Sequence, residues 1–178
     1  MTTKFTQRSL RDAFGEFATG VTVVTAVRPD GEPVGITANS FSSVSLDPPL
    51  LLWCLASSSS GAVAFAPGAP FAVHVLSHDQ RDLAVHFARR GADKFEVDHN
   101  FRAHPSPPHI DGALVRFDCR VHAVHPGGDH LIIVGDVLAI TRHPGKPLAF
   151  HAGHFGTYRE DRGVPKIDVW AGANDGWF

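Results

Sequence analysis

Apolar and polar positions alternate along much of the chain with the period of two that a half-buried β-strand imposes. The clearest run covers residues 113–123. Ala113, Val115, Phe117, Cys119, Val121 and Ala123 fall on one face, and Arg116, Asp118, Arg120 and His122 on the other. Gly127-Gly128-Asp129 reads as a hairpin turn, with residues 131–140 as the returning strand. Earlier, the β-branched run of residues 21–27 predicts a strand closed by the turn Pro29-Asp30-Gly31. A second strand starts near Val34 and runs into Thr37-Ala38-Asn39-Ser40. Residues 50–55 are continuously apolar between Pro48-Pro49 and a serine run, as in a strand buried on both faces. Residues 71–76 and 148–155 supply two more strands.

Helical spacing is rarer. Leu10, Phe14, Phe17 and Ala18 fall on one face of a helix capped by Thr6 or Ser9, running to about residue 18 and ended by Gly20. A second helix over residues 78–89 turns Leu83, Ala84, Phe87 and Ala88 inward, and Pro105, Pro107 and Pro108 then mark a loop. Many short strands, frequent turns and two outlying helices predict a mainly β protein, a barrel with a few peripheral helices.

The 178 residues fit one domain, 43% hydrophobic and 19% charged, which is a globular profile. A net charge of -2 offers no basic field for nucleic acid or anionic lipid. Cys54 and Cys119 both sit among apolar neighbours and read as buried thiols. The first seven residues lack the apolar core of a secretion signal, and the run 50–56 is too short to cross a bilayer, so a soluble, cytoplasmic protein is expected.

Among chemical motifs, G-x-G-x-x-G, G-x-x-x-x-G-K-[ST], G-x-S-x-G and H-E-x-x-H are missing, which leaves Rossmann, P-loop and the commonest hydrolase readings unsupported. The closest histidine pairs, His122/His125 and His151/His154, are three apart. On a continuous strand such residues point to opposite faces, so no metal site is expected. The segment 35–49 is different: hydroxyl and amide side chains crowd between two strands and stop at a double proline. A loop of small polar residues presents donors to phosphate and carbonyl oxygens. Ser57, Ser58, Ser59 and Ser60 add a second donor cluster before a helix start at Gly61. A serine-rich loop capping its own backbone explains the same composition.

Taken in order, Phe17-Ala18-Thr19-Gly20-Val21-Thr22-Val23-Val24-Thr25, the segment 35–49, Phe71-Ala72-Val73-His74-Val75-Leu76-Ser77, Gln80, Phe87, Lys94-Phe95, Gly128-Asp129-His130 and Pro147-Leu148 form a connected pattern. It resembles the short-chain flavin reductases of the FMN-binding split-barrel fold, over roughly residues 10–158. The resemblance implies a split β-barrel domain over residues 1–160 with a C-terminal tail over 161–178. It also implies a homodimer that transfers hydride from NADH or NADPH to FMN or FAD and supplies reduced flavin to a partner monooxygenase.

By the same resemblance Thr37, Ala38, Asn39, Ser40, Ser43 and Ser45 line the flavin, while Trp53, Cys54 and Ser57 to Ser60 hold its phosphate side. Phe87 and Lys94 match the adenine or phosphate end. His130 stands by the nicotinamide as the catalytic histidine, and His151, Gly153 and Phe155 border the nicotinamide pocket. The serine run lacks a basic residue often present there, which leaves FMN against FAD open. Two other readings share the barrel: a non-catalytic flavin carrier or sensor, and an oxidase similar to the pyridoxamine-phosphate oxidases. The aromatic tail residues Trp170, Trp177 and Phe178 suggest an ending that docks on the protein.

Overall fold

The computed structural model describes residues 5–89, 91, 94–95, 101–102, 107–160 and 163. The tail beyond residue 160, apart from Gly163, lies outside the described residues, and with it the docking expected of Trp170, Trp177 and Phe178. The strands are β1 (Thr19–Gly20), β2 (Thr22–Val27), β3 (Pro33–Ala38), β4 (Ser42–Leu46), β5 (Pro49–Ala56), β6 (Pro70–Val75), β7 (Phe101–Arg102), β8 (His109–Ile110), β9 (Val115–Gly127), β10 (His130–Arg142), β11 (Leu148–His151) and β12 (His154–Thr157). Two α-helices, α1 (Gln7–Gly15) and α2 (Arg81–Ala88), and a short 3-10 helix, Ser60–Phe65, complete the described elements.

Seven strands form one antiparallel sheet in the order β3-β2-β6-β9-β10-β5-β4. Its two edge strands, β3 and β4, are consecutive in the chain and joined only by Asn39, Ser40 and Phe41. Four Cα steps reach at most about 14 Å, so the edges are forced together and the sheet curls into a barrel. The edges do not pair with each other. Instead the Ser40 hydroxyl accepts from the Cys54 amide at 2.9 Å and donates to its carbonyl at 3.3 Å, pinning the connector to β5. This is a split β-barrel.

Inward residues of the strands meet in one core: Val24, Val34, Leu51, Trp53, Leu55, Phe71, Val73, Val121 and Ile133, with Phe65 from the 3-10 helix. Phe65 lies edge-on to Trp53 at 4.9 Å and to Phe71 at 6.0 Å. Large side chains of this kind each stabilise by roughly 1.5–3 kcal/mol when buried. A second cluster, with Val23, Leu76, Ala84, Phe87 and Leu148, seats α2 and the small sheet β1-β11-β12 on the outside.

Elements depart from the sequence reading at several places. The strand β5 is not buried on both faces: Leu51, Trp53 and Leu55 are core, while Leu50, Leu52 and Cys54 are half-buried. The strict alternation of β9 breaks at His122, where Val134 pairs with Ala123 but Gly135 with Val121. This bulge shifts the phase, so Val124 rather than Ala123 packs on the core. The expected last strand is a hairpin. Ala152 and Gly153 take φ of 47° and 83°, a turn conformation that alanine signals poorly. His151 and His154 consequently face each other across the hairpin, which removes the spacing argument used against that pair. Among the described residues no group of three metal-ligating side chains occurs.

A further departure is α1. It ends at Gly15, three residues early, and buries none of its side chains; Phe14 is 69% and Phe17 78% exposed. Thr6 and Ser9 do form its capping box. In α2 the inward set is Leu83, Ala84 and Phe87, with Ala88 exposed.

His74 is wholly buried in β6. Its Nδ1–H donates to the Val23 carbonyl at 3.1 Å, and its Nε2 accepts from the Ile110 amide at 3.2 Å. Burial pushes its pKa from 6.5 down to about 3, so the folded ring is neutral. Its contribution is complete above pH 6.5 and is lost as the pH falls toward 3, because only the unfolded chain takes up the proton. His74→Gln, which keeps a donor and an acceptor, should flatten the fall of stability below pH 6.5 in urea unfolding at stepped pH. Parallel curves for the two proteins would contradict this.

Candidate functional site

A cavity of about 510 Å³ opens where β3, the 39–41 connector and the end of β5 meet the end of α2. Its position follows from the split: β3 has a ladder partner on one side only, in β2, so its other side borders open space. Ile36, Thr37, Ala38, Asn39 and Ser40 form one wall, and Cys54, Leu55, Ala56, Ser58, Ser59 and Ser60 the opposite one. Phe87, Ala88, Arg89, Gly91 and Lys94 close one side, and His130 is also part of the lining.

Local hydrogen bonds explain how these residues are held. Thr37 Oγ1 donates to the Ala84 carbonyl at 2.6 Å, fixing β3 to α2. The donor hydrogens of Thr37 and Ser40 are therefore engaged in building the walls. Ser59 Oγ accepts from the Gly61 amide at 3.2 Å and caps the 3-10 helix. Lys94 is half-buried and carries no carboxylate partner among the described residues. Its ammonium donates to the carbonyls of Gly35 at 2.9 Å and Phe87 at 2.8 Å, and burial lowers its pKa.

His130 begins β10 directly opposite Ala56, and the Ser57 amide donates to the Asp129 carbonyl at 2.9 Å. These two contacts bring the hairpin against the serine run. Gly128, at φ 73°, makes the two-residue turn possible. The His130 Nδ1–H donates to Asp129 Oδ1 at 2.7 Å, which leaves Nε2 as the ring nitrogen available to the cavity. That hydrogen bond also holds the exposed Asp129 carboxyl below the usual carboxylate range.

The structure thus brings together Thr37, Ala38, Asn39, Ser40, Cys54, Ser58, Ser59, Ser60, Phe87, Lys94 and His130. Others lie elsewhere. Ser43 and Ser45 belong to edge strand β4, because much of the supposed loop is strand. Trp53 points into the core with 0% exposure, and its indole N–H has no partner among the described residues. Ser57 contributes through its backbone. Gly153 borders a second cavity of about 610 Å³, with Phe14, Phe17, Thr19 and Phe150, which meets the first at Asn39. Phe155 packs against Phe150 at 5.2 Å and under the Arg81 guanidinium at 5.7 Å. His151 is exposed, 3.6 Å from Glu16.

Arg89 was not singled out from the sequence. It follows the last residue of α2, a position where a basic side chain ordinarily reads as complementing the helix dipole. With Lys94 it supplies the positive charge that the serine run itself lacks, and among the described residues no Asp or Glu lines the cavity. An elongated cleft with hydroxyls, backbone amides and two cations suits a phosphorylated aromatic ligand.

Residues 14–159 match the family described as flavin reductase like domain, and the chain belongs to that family. It is 51% identical to the FMN reductase (NADH) SmoA of Agrobacterium fabrum, over 85% of this chain and 86% of that protein. It is 44% identical to the reductase component of the flavin-dependent trigonelline monooxygenase of Acinetobacter baylyi, over 84% of this chain but only 48% of that one. Among solved structures, the NADH:FAD oxidoreductase of Streptomyces globisporus, in complex with NAD and FAD fragments, superposes with a TM-score of 0.78. The identity there is 41%, over 88% of this chain and 95% of the other.

Gly35, whose carbonyl accepts from Lys94, packs directly against the Phe87 ring. A Cβ there would lie 2.2 Å from the Phe87 ring. Gly35→Ala should therefore displace Phe87 and cost roughly 1–3 kcal/mol by overpacking. Denaturant unfolding checks the loss, and an unchanged midpoint would show that the ring moves aside freely.

Proposed function

We propose that the protein is an NAD(P)H:flavin oxidoreductase that reduces FMN or FAD in the cleft and supplies the reduced flavin to a partner monooxygenase. The observation that carries this is the cavity ringed by Asn39, Ser58, Ser60, Arg89 and Lys94, with no Asp or Glu in its lining among the described residues. Its cationic side, with the serine hydroxyls, holds phosphate, and the Thr37–Ser40 side holds the ring system. Bound flavin supplies a hydride acceptor, so the chain itself needs no nucleophile or strong acid–base pair.

What the residues provide is placement. Asn39 stands where the two cavities meet, and the second cavity, walled by Phe14, Phe17 and Phe150, receives the nicotinamide. His130, its tautomer fixed by Asp129, offers Nε2 to position the nicotinamide amide or to pass a proton. A non-catalytic carrier would bind flavin with the same walls, but the likeness to proteins named as NADH-dependent flavin reductases does not favour that reading.

Phe5, Phe14 and Phe17 of the N-terminal region, together with Val44, Leu46, Leu138 and Ile140, are 41–78% exposed and favour a homodimer that covers them. A cytoplasmic setting is supported by two free thiols. No described helix is long and apolar enough to cross a membrane. The tail from residue 161 is read as an appendage to the barrel domain that precedes it.

NADH or NADPH oxidation should require added FMN or FAD and no organic substrate. His130→Ala should lower kcat/KM for the nicotinamide nucleotide by about 10- to 100-fold while leaving flavin affinity nearly unchanged. Lost flavin affinity with intact nicotinamide kinetics would reverse the assignment. Sedimentation at micromolar concentration should show a dimer, and a 19.2 kDa species alone would refute it.

A further inference from the structure

The last turn of α2 carries a polar side chain that the proposed reaction does not use. His86 is half-buried and is not part of the cavity lining. Its Nε2 lies 2.8 Å from the Lys94 carbonyl oxygen, which can only accept, so Nε2–H donates. We propose that His86 is a positioning residue: it holds the Lys94 backbone so that the ammonium meets the phosphate of the bound flavin. The inference rests on the flavin reductase reading and deepens it.

Lys94 is gripped at both ends from the last turn of α2. Its carbonyl accepts from the His86 ring. Its ammonium donates to the carbonyl of Phe87, the next residue, at 2.8 Å, and to that of Gly35 at 2.9 Å. An ammonium has three hydrogens, and these two carbonyls take two of them. The third is left for the cavity that Lys94 lines, in a direction the other two fix. A lysine whose backbone could turn would lose that direction, because a long flexible stem separates the ammonium from the chain.

The His86 ring makes a second contact at the same spot. It stands at 87° to the Phe87 ring, 5.3 Å away, and so backs the ring that packs on Gly35. Phe95 also packs on Phe87, at 5.3 Å, but an apolar contact is non-directional and leaves the Lys94 peptide free to turn. The His86 carbonyl accepts from the Arg89 amide at 3.3 Å, where α2 ends. Both cations of the cleft are thus tied to one residue, Arg89 through the backbone and Lys94 through the ring. Only the second tie depends on the side chain, so only it responds to substitution.

The test is steady-state NADH oxidation with FMN and with riboflavin, which lacks the phosphate, in the wild type, His86→Leu, His86→Gln and Lys94→Met. His86→Leu keeps the bulk and loses the donor. It should raise the KM for FMN roughly 3- to 10-fold, the scale of one hydrogen bond, and leave the riboflavin and NADH values in place. Riboflavin turnover then reports an intact fold. His86→Gln, whose amide nitrogen reaches the position of Nε2, should stay near the wild type. Combining His86→Leu with Lys94→Met should cost no more than Lys94→Met alone, as for two residues that act through one contact. The proposal is overturned by FMN and riboflavin values that rise together, by no change with FMN, or by additive losses in the double variant. A His86→Gln variant as impaired as His86→Leu also overturns it. Should His86→Leu not fold, His86→Asn, whose amide falls short of Lys94, takes its place with the same expected and contrary results. If no flavin supports NADH oxidation, the reductase reading itself fails, and quenching of flavin fluorescence then judges His86 alone. FMN affinity lowered by His86→Leu with riboflavin affinity intact upholds the proposal, and equal losses refute it.

Discussion

Three residues, Asn39, Ser40 and Phe41, join the two edges of a seven-stranded sheet that never pair with each other. Everything at the site follows from that constraint. The connector is too short to let the sheet lie open, so the barrel closes. The edges lack a ladder, so closure falls to the Ser40 hydroxyl bridging the Cys54 backbone, and to Phe41, which packs on the core and stacks on Phe117 at 5.7 Å. A continuous ladder at this point would fill the gap with backbone. The split leaves a cleft whose walls carry unpaired strand edges and small polar side chains, the groups a flavin's oxygens need.

The remaining elements complete that cleft. Helix α2 is tied to β3 by Thr37, and Phe87 fits against the bare backbone of Gly35. The residues that follow it, Arg89 and Lys94, bring charge to a serine-lined end that has none of its own. The β9–β10 hairpin delivers His130 because β10 pairs with β5 in a register that sets His130 against Ala56. No strand carries more than a few of these groups. The site is an intersection, and its chemistry is placement and charge rather than a reactive side chain.

The mainly β class and the positions of most strands were readable from alternation alone, and the family resemblance named the fold and most of the cleft. What escaped the sequence has identifiable causes. The bulge at His122 inserts one residue and reverses the facing of Ala123 and Val124, which no period of two can register. Ala152 adopts a left-handed turn conformation without the glycine or asparagine that announces one. The serines of β4 read as loop because an edge strand tolerates polar residues on both faces. Arg89 belongs to the site through tertiary placement, whereas Trp53, beside true cleft residues in sequence, points the other way because β5 alternates. The apolar face of α1 was legible as a pattern; what covers it is not written in a single chain.

The central claim is that one cleft, assembled from four separate stretches of chain, holds the flavin. Hydrogen–deuterium exchange with and without oxidised FAD tests it most directly. Protection should appear together in residues 36–40, 54–60, 87–89 and 129–130 and leave the far ends of β9 and β10 unchanged. Protection confined to other segments, or none at saturating FAD, would contradict the account.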